Sequence, residues 1–267
     1  MRQTQASPQP LGGVANFRDF GGYATRSGGV VRTGLLFRSG HMAQALPQDI
    51  ETLGALGVSH VADLRRPEER AKLPTPDALA RSWTTLSHNH PYNSPEPPHL
   101  AVLLAPDVSE AAVDARMISG YRQYPHDPAL SEVYRAYFDA LCDQDEGQAV
   151  LVHCHAGKDR TGFLIALTHH LLEVSPDAMM SDYLRTNQET RVDERMPEVL
   201  ASFEKEHGVA PPLEALRRVM MVAGPYLQAA MDSVQARYGS LDLYLEQHLG
   251  VDAAKTQRIR QRLVRRA

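Results

Sequence analysis

Two apolar runs, Ala149-Val150-Leu151-Val152 and Phe163-Leu164-Ile165-Ala166-Leu167, flank a stretch of polar and small residues, His153 to Gly162. A short apolar run that enters a glycine-bearing loop predicts a buried strand, and the longer run after Gly162 predicts a buried helix. Upstream, Pro47 to Leu56 has helical spacing with Pro in its first turn, and Gly57 ends it. Val58-Ser59-His60-Val61-Ala62-Asp63-Leu64 follows and predicts a buried strand ending at Asp63. Helix, strand, then strand-loop-helix predicts an α/β fold with a central, mainly parallel sheet flanked by helices.

Between residues 14 and 38, Gly21-Gly22, Gly28-Gly29 and Gly34 separate short β-like runs, which predicts hairpin strands. No Gly-x-Gly-x-x-Gly or Gly-Lys-Ser/Thr string occurs there, so these are turn glycines. Leu130 to Leu141 predicts a helix leading into the central strand. After Gly162 the spacing is helical near 161–173, 176–187, 190–207, 211–223, 225–237 and 241–248, with a basic last helix at 252–265. Pro176, Pro197, Gly208, Pro211-Pro212 and Pro225 punctuate that half. Residues 87–130 differ: a proline- and histidine-rich start is followed by a helix over Val108 to Tyr124. The whole chain, 1–267, reads as one domain with this segment as an insertion.

Composition narrows the classes. A chain of 267 residues that is 43% hydrophobic and 22% charged buries a sizeable core. A net charge of −4 does not suit a general nucleic-acid binder. Two cysteines exclude a disulfide framework. No stretch approaches the ~18 apolar residues of a membrane span, and Met1 to Pro10 lacks a signal-peptide apolar core. A reducing cytoplasm is the compartment that suits a free thiolate, although secretion without a signal is compatible with the sequence.

The loop carries the chemistry. Its Cys154 is followed six residues later by Arg160 and then by Thr161. A strand-to-helix turn aims backbone N–H groups at one point, and the helix dipole adds positive potential there. His155, Ala156, Gly157, Lys158 and Gly162 supply the backbone of such a cradle. Arg160 offers a planar fork to two phosphate oxygens. The residues therefore point to a cysteine nucleophile inside an anion nest, with an inert core cysteine as the bland alternative. His155, His88, His90 and His99 do not show ligand spacing such as His-x3-His, so no metal site is expected.

The string His-Cys-x-x-Gly-Lys-Asp-Arg-Thr-Gly resembles the loop of the atypical bacterial tyrosine and lipid phosphatases within the protein tyrosine phosphatase superfamily. Asn16-Phe17-Arg18-Asp19-Phe20-Gly21-Gly22, Leu36-Phe37-Arg38-Ser39-Gly40, Asp63-Leu64-Arg65 with Glu69, and Tyr238 to Gly250 are similar to other signatures of that family. The resemblance implies two-step phosphomonoester hydrolysis through a cysteinyl-phosphate, without metal or organic cofactor. It implies Asp159 as general acid, with Asp63 or Asp107 as rivals, and Thr161 as a donor to the sulfur, with a helix-capping hydroxyl as its alternative. Lys158 is expected to meet additional phosphates or the insertion, or else to be a solvated loop lysine. His153, Asp63 and Arg65 are expected to support the loop, Asp63 by pairing with Arg160 or Lys158. Arg18, Asp19 and Arg38 fall between rim contacts and structural ion pairs. Residues 87–130 are read as a lid over the loop, with a plain surface insertion as the alternative. Phosphorylated proteins or phosphoinositides are the implied substrates. The rivals are a catalytically weak phosphate-binding or adaptor module, and another C-x5-R enzyme such as an arsenate reductase or a sulfur transferase. Cys142 is read as a buried helix cysteine, with a reversible disulfide to Cys154 as the alternative. The tail arginines, Arg258, Arg260, Arg262, Arg265 and Arg266, are read as the solvated face of the last helix, with an anionic membrane or phosphoinositide surface as the alternative.

Overall fold

A computed structural model describes residues 11–90 and 98–266. Along the chain come β1 (Arg18–Asp19), β2 (Gly29–Val31), β3 (Leu36–Ser39), α1 (Pro47–Gly54), β4 (Val58–Asp63), α2 (Pro67–Lys72), α3 (Asp77–Ala80) and β5 (Thr84–Leu86). Then follow α4 (Pro98–Ala101), α5 (Glu110–Gln123), α6 (Pro128–Asp143), β6 (Ala149–His153) and α7 (Asp159–Leu171). The last third holds α8 (Pro176–Glu189), α9 (Val192–His207), α10 (Leu213–Met220), α11 (Gly224–Tyr238), α12 (Leu241–Leu243), α13 (Ala253–Leu263) and β7 (Val264–Arg266).

The main sheet has the order β1-β3-β6-β4-β5. Strands β3, β6, β4 and β5 run parallel, and only β1 is antiparallel to its neighbour. This is the mainly parallel α/β sheet that the apolar runs predict. Every residue of β6 is buried, as expected of a central strand covered on both faces. Its side chains alternate: Val150, Val152 and Cys154 join the large helical core, whereas Ala149 and Leu151 join a smaller core with Phe37, Leu53 and Leu79. The Cys154 side chain thus inherits its direction from the pleat of the strand before it.

Helix starts follow ordinary capping chemistry. Asp127 accepts from the Ala129 and Leu130 amides, with Pro128 next to it, and so starts α6. Ser175 does the same for α8, again with proline in the first turn. Helix α7 is buried along most of its length, which places it at the centre of the helical layer.

Four expectations need correction. Strand β2 keeps only a single bridge of the expected local hairpin, Ala24 opposite Val30; its ladder runs instead with β7, with Val31 opposite Val264. The last helix stops at Leu263, because the following residues join that ladder. Arg265 and Arg266 are therefore strand residues, and Arg260 and Arg262 hydrogen-bond the backbone carbonyls of Leu171 and Gln144 rather than water alone. The span 190–207 is broken at Arg191, whose φ of +47° separates α8 from α9. Cys142 is half-buried at the end of α6 beside the start of β6, since its neighbour Gln144 reaches the Ala149 carbonyl at 3.4 Å. Cys154 lies past the other end of that strand, roughly 16 Å away at 3.3 Å per residue. A disulfide needs α-carbons within about 7 Å, so this fold separates the pair.

Candidate active site

Loop 154–160 leaves the carboxyl end of β6 and enters the first turn of α7. Cys154 is only 2% exposed. Gly157 turns the loop with φ +67°, and a Cβ there would lie 2.2 Å from the Ser39 carbonyl oxygen. No side chain fits that space. The Gly157 carbonyl accepts from Asn16 Nδ2 at 2.6 Å and from Arg38 Nη2 at 2.8 Å. With that carbonyl held by donors outside the loop, the inner side is left to N–H groups, the polarity an anion needs.

Those donors belong to a buried network. Asp182 on α8 pairs with Arg38 at 2.9 Å and with Arg18 at 3.4 Å. Burial raises the Asp182 carboxyl, but the two guanidinium charges outweigh it and hold it below the usual carboxylate range. Arg18 also bonds Asn16 Oδ1, and Asn16 adopts φ +58°, a conformation asparagine tolerates better than most residues. Arg18 and Arg38 are therefore structural, not rim contacts. Asp19 caps the turns at Gly21 and Gly34.

Arg160 is fixed before any substrate arrives. Its Nη1 donates to the Leu64 carbonyl at 2.9 Å and to Glu69 Oε2 at 2.6 Å, and its Nη2 donates to Glu69 Oε1 at 2.7 Å. Burial raises the Glu69 carboxyl, yet the charge and double hydrogen bond of Arg160 overcome this and hold it far below the usual range. Glu69 also receives the Arg66 amide at 2.7 Å at the start of α2. Three of the five guanidinium protons are used in this way. The Nε proton and the second Nη2 proton bond to none of the described residues, so one edge of the fork is open for two oxygens.

Asp63 does not pair with Arg160 or Lys158. Its carboxylate is held by Arg65 at 2.9 and 2.7 Å, and His153 Nε2 lies 3.5 Å away. Arg65 sits two residues on, at the end of the same strand, so it reaches the carboxylate first. Arg65 further donates to the Leu73 carbonyl and Thr75. Both side chains are buried, which makes them supports beneath the loop. His153 Nδ1 lies 3.4 Å from the Cys154 carbonyl, so that ring bridges the loop start to Asp63.

On the opposite side, Asp159 accepts from Lys158 Nζ at 2.9 Å and from the Tyr121 hydroxyl at 2.7 Å. Tyr121 stands 2.7 Å from the Tyr183 hydroxyl, so Tyr183 donates to it. Burial first, then Asp159 and Tyr183, push the Tyr121 hydroxyl well above its ordinary value, so it stays protonated as a donor. Lys158 is 5% exposed and also reaches the Met221 carbonyl; it is no solvated loop lysine. Thr161 Oγ1 is buried and has no hydrogen-bond partner among the described residues. It lies inside the first turn of α7 and caps nothing. Gly162 is where the Tyr183 ring packs, 2.9 Å from the place a Cβ would take.

The remaining positions scatter. Ala156 is half-buried. His155 points toward solvent, its ring 5.2 Å from that of His41. The His155 side chain is 52% exposed, so solvent screens the charges around it. Asp107 is exposed. His88 is buried with its ring 6.0 Å from that of His90, and the latter pairs with Glu132. The His99 side chain lies outside the described residues. No group of three or more His, Cys, Asp or Glu side chains suited to a metal occurs among the described residues, and no described helix is long and apolar enough to cross a membrane.

The insertion contributes α5, whose Val113, Met117 and Tyr121 are buried. Asp114 ties it to Arg218 of α10 at 2.5 Å and to Tyr226 of α11. Reasoning from sequence missed Tyr121, Tyr183 and Asp182, and it quoted Asn16 and Glu69 without giving them roles. Glu69 carried a local signal, an acid three residues after a helix start. The others are joined to the loop only by the fold.

A model of a tyrosine phosphatase family matches residues 9–265. A protein of Cupriavidus necator that carries a tyrosine-protein phosphatase name is 31% identical over 250 residues, covering 91% of this chain and 84% of that protein. The triple specificity protein phosphatase PtpB of Mycobacterium tuberculosis is 30% identical over 283 residues, covering 94% of this chain and 96% of its own. Likeness of this extent takes in the loop together with the distant residues that brace it, and the chain belongs to the tyrosine phosphatase family, as a phosphatase of the protein-tyrosine-phosphatase type.

Proposed function

We propose that the chain hydrolyses phosphomonoesters by way of a cysteinyl-phosphate on Cys154. The observation that carries this is the half-used guanidinium of Arg160, locked on Glu69 with its other edge open beside the loop. In the first step the Cys154 thiolate attacks phosphorus and the ester P–O bond breaks. The leaving oxygen takes a proton from Asp159. In the second step water attacks phosphorus, the S–P bond breaks, and Asp159 receives the proton. Arg160 and the loop amides stabilise the charge on the phosphoryl oxygens throughout, and the Thr161 hydroxyl, which lacks another partner, serves the departing sulfur. Asp159 is the better acid than Asp63, which is buried in a two-point pair with Arg65, and than Asp107, which is exposed. Helix α5 covers the Asp159 side of the loop, so the insertion is the lid of this reading.

Phosphotyrosine, phosphoserine, phosphothreonine and phosphoinositides all suit the chemistry. The phosphoinositide case requires Lys158 to exchange Asp159 for a second phosphate. The test is vanadate-sensitive hydrolysis of an aryl phosphate in excess chelator, with Cys154→Ser as control, followed by phosphopeptide and phosphoinositide panels. Activity persisting in Cys154→Ser sinks the covalent mechanism. A wild-type protein that binds phosphate without turnover identifies a binding module instead.

A further inference from the structure

A cavity of about 360 Å³ opens beside the loop, and neither Asp159 nor a residue of α5 lines it. Its wall includes His155, which directly follows the nucleophile, together with His41, Leu11, Val14, Arg191 and Arg195. Nothing in the proposed reaction uses it. Of the three described non-glycine residues with positive φ, Asn16 and Arg191 both line it, so the wall is held in two uncommon conformations.

The charges in this cavity are unevenly partnered. Arg191 faces Glu194 at 3.9 Å, and Glu189 is taken by Arg185 at 2.7 Å. Glu198 lines the cavity without an ion pair to Arg195. Arg195 is half-buried on α9, and its guanidinium makes no hydrogen bond or ion pair with any described residue. It lies close enough to His41 and His155 to oppose protonation of both rings, after burial, which is the larger cause. A half-buried arginine without a counter-ion, next to the catalytic loop, is a ready partner for an anion.

We propose that this cavity is a specificity subsite for an acidic side chain that flanks the phosphorylated residue of a peptide substrate, with Arg195 taking its carboxylate. The inference rests on the phosphatase reading above. The lining favours a peptide over a polyphosphorylated headgroup: Leu11 and Val14 suit an aliphatic stem, and, among the described residues that line it, one unpaired cation set among glutamates matches a single negative charge. A second phosphate dianion would meet those glutamates as like charges.

The test uses pairs of phosphotyrosine peptides that differ only by Asp or Asn at one position, from two residues before to two residues after the phosphotyrosine. For one position the wild-type kcat/KM ratio, Asp over Asn, should be about 5- to 10-fold, the scale of a partly exposed charged contact. Arg195→Gln should bring that ratio to about 1. Arg195→Glu should invert it and favour the matching Lys peptide, an outcome that a merely damaged fold does not produce. A ratio near 1 at every position in the wild type, or one that survives Arg195→Gln, overturns the subsite while leaving the phosphatase reading standing. Failure to hydrolyse both peptides and aryl phosphate defeats the phosphatase reading, and the subsite with it. A soluble inositol bisphosphate and its monophosphate form the last arm. If Arg195→Gln erases only a preference for the bisphosphate, the cavity serves a headgroup and the peptide proposal is wrong.

Discussion

Glu69→Gln isolates the orientation of Arg160 from its charge. The guanidinium is held by two charge-assisted bonds to Glu69, at 2.6 and 2.7 Å, and by the Leu64 carbonyl. Glutamine offers one acceptor where glutamate offers two, and its amide nitrogen opposes a guanidinium proton. Hydrogen bonds to charged groups contribute about 1.5–3 kcal/mol each. Glu69 is 20% exposed, which places the loss near the low end, at about 2 kcal/mol. If all of that holds Arg160 ready for the transition state, kcat/KM toward an aryl phosphate falls roughly 30-fold. The glutamine oxygen still accepts from the Arg66 amide, so the start of α2 is kept and the fold should survive. The sign with pH is fixed. A carboxyl depressed in the folded state contributes fully above its unfolded value of about 4.3, and that contribution is lost as pH falls through the folded value. The activity ratio of variant to wild type should therefore stay flat between about pH 5 and 8. Steady-state kinetics and a thermal melt read both quantities. A ratio within threefold of unity, or one that changes steeply across that range, refutes the claim that Glu69 presets the arginine.

Asp182→Asn should destabilise the protein by about 3–5 kcal/mol in urea unfolding, because Arg18 and Arg38 are left as buried charges without a counter-ion; a loss under about 1 kcal/mol contradicts this. Gly157→Ala should abolish turnover of aryl phosphate, since a Cβ would lie 2.2 Å from the Ser39 carbonyl oxygen; activity within tenfold of wild type would show that the loop gives way. Tyr121→Phe should slow an alkyl phosphate, a poor leaving group, more than an aryl phosphate by about 5- to 10-fold, because it removes the 2.7 Å donor that positions Asp159. Equal slowing of both substrates would place Tyr121 in packing alone.

The strands and helices around the loop were legible because their apolar runs are contiguous: Ala149 to Val152 and Phe163 to Leu167 have no other stable placement than burial. The loop itself was legible because its chemistry is local. Sequence misjudged what depends on distant partners. Asp63 was expected to reach Arg160, but the nearer Arg65 claims it. For Arg18 and Arg38 the choice between rim contact and structural ion pair stayed open, since their counter-ion lies more than a hundred residues away on α8. The tail read as a basic helix to its end, because the pairing of Val264 with Val31 is invisible along the chain.

The glycines of the loop carry one more meaning. Gly157 is small because Ser39 passes behind it, and Gly162 is small because the Tyr183 ring lies against it. Each position is the mould of a neighbour as well as part of the loop. A graft of His153 to Gly162 onto another strand-turn-helix would carry two empty impressions with it. It would reproduce the spelling of the site and lose the pressure that gives it shape, unless strand β3 and helix α8 travelled along.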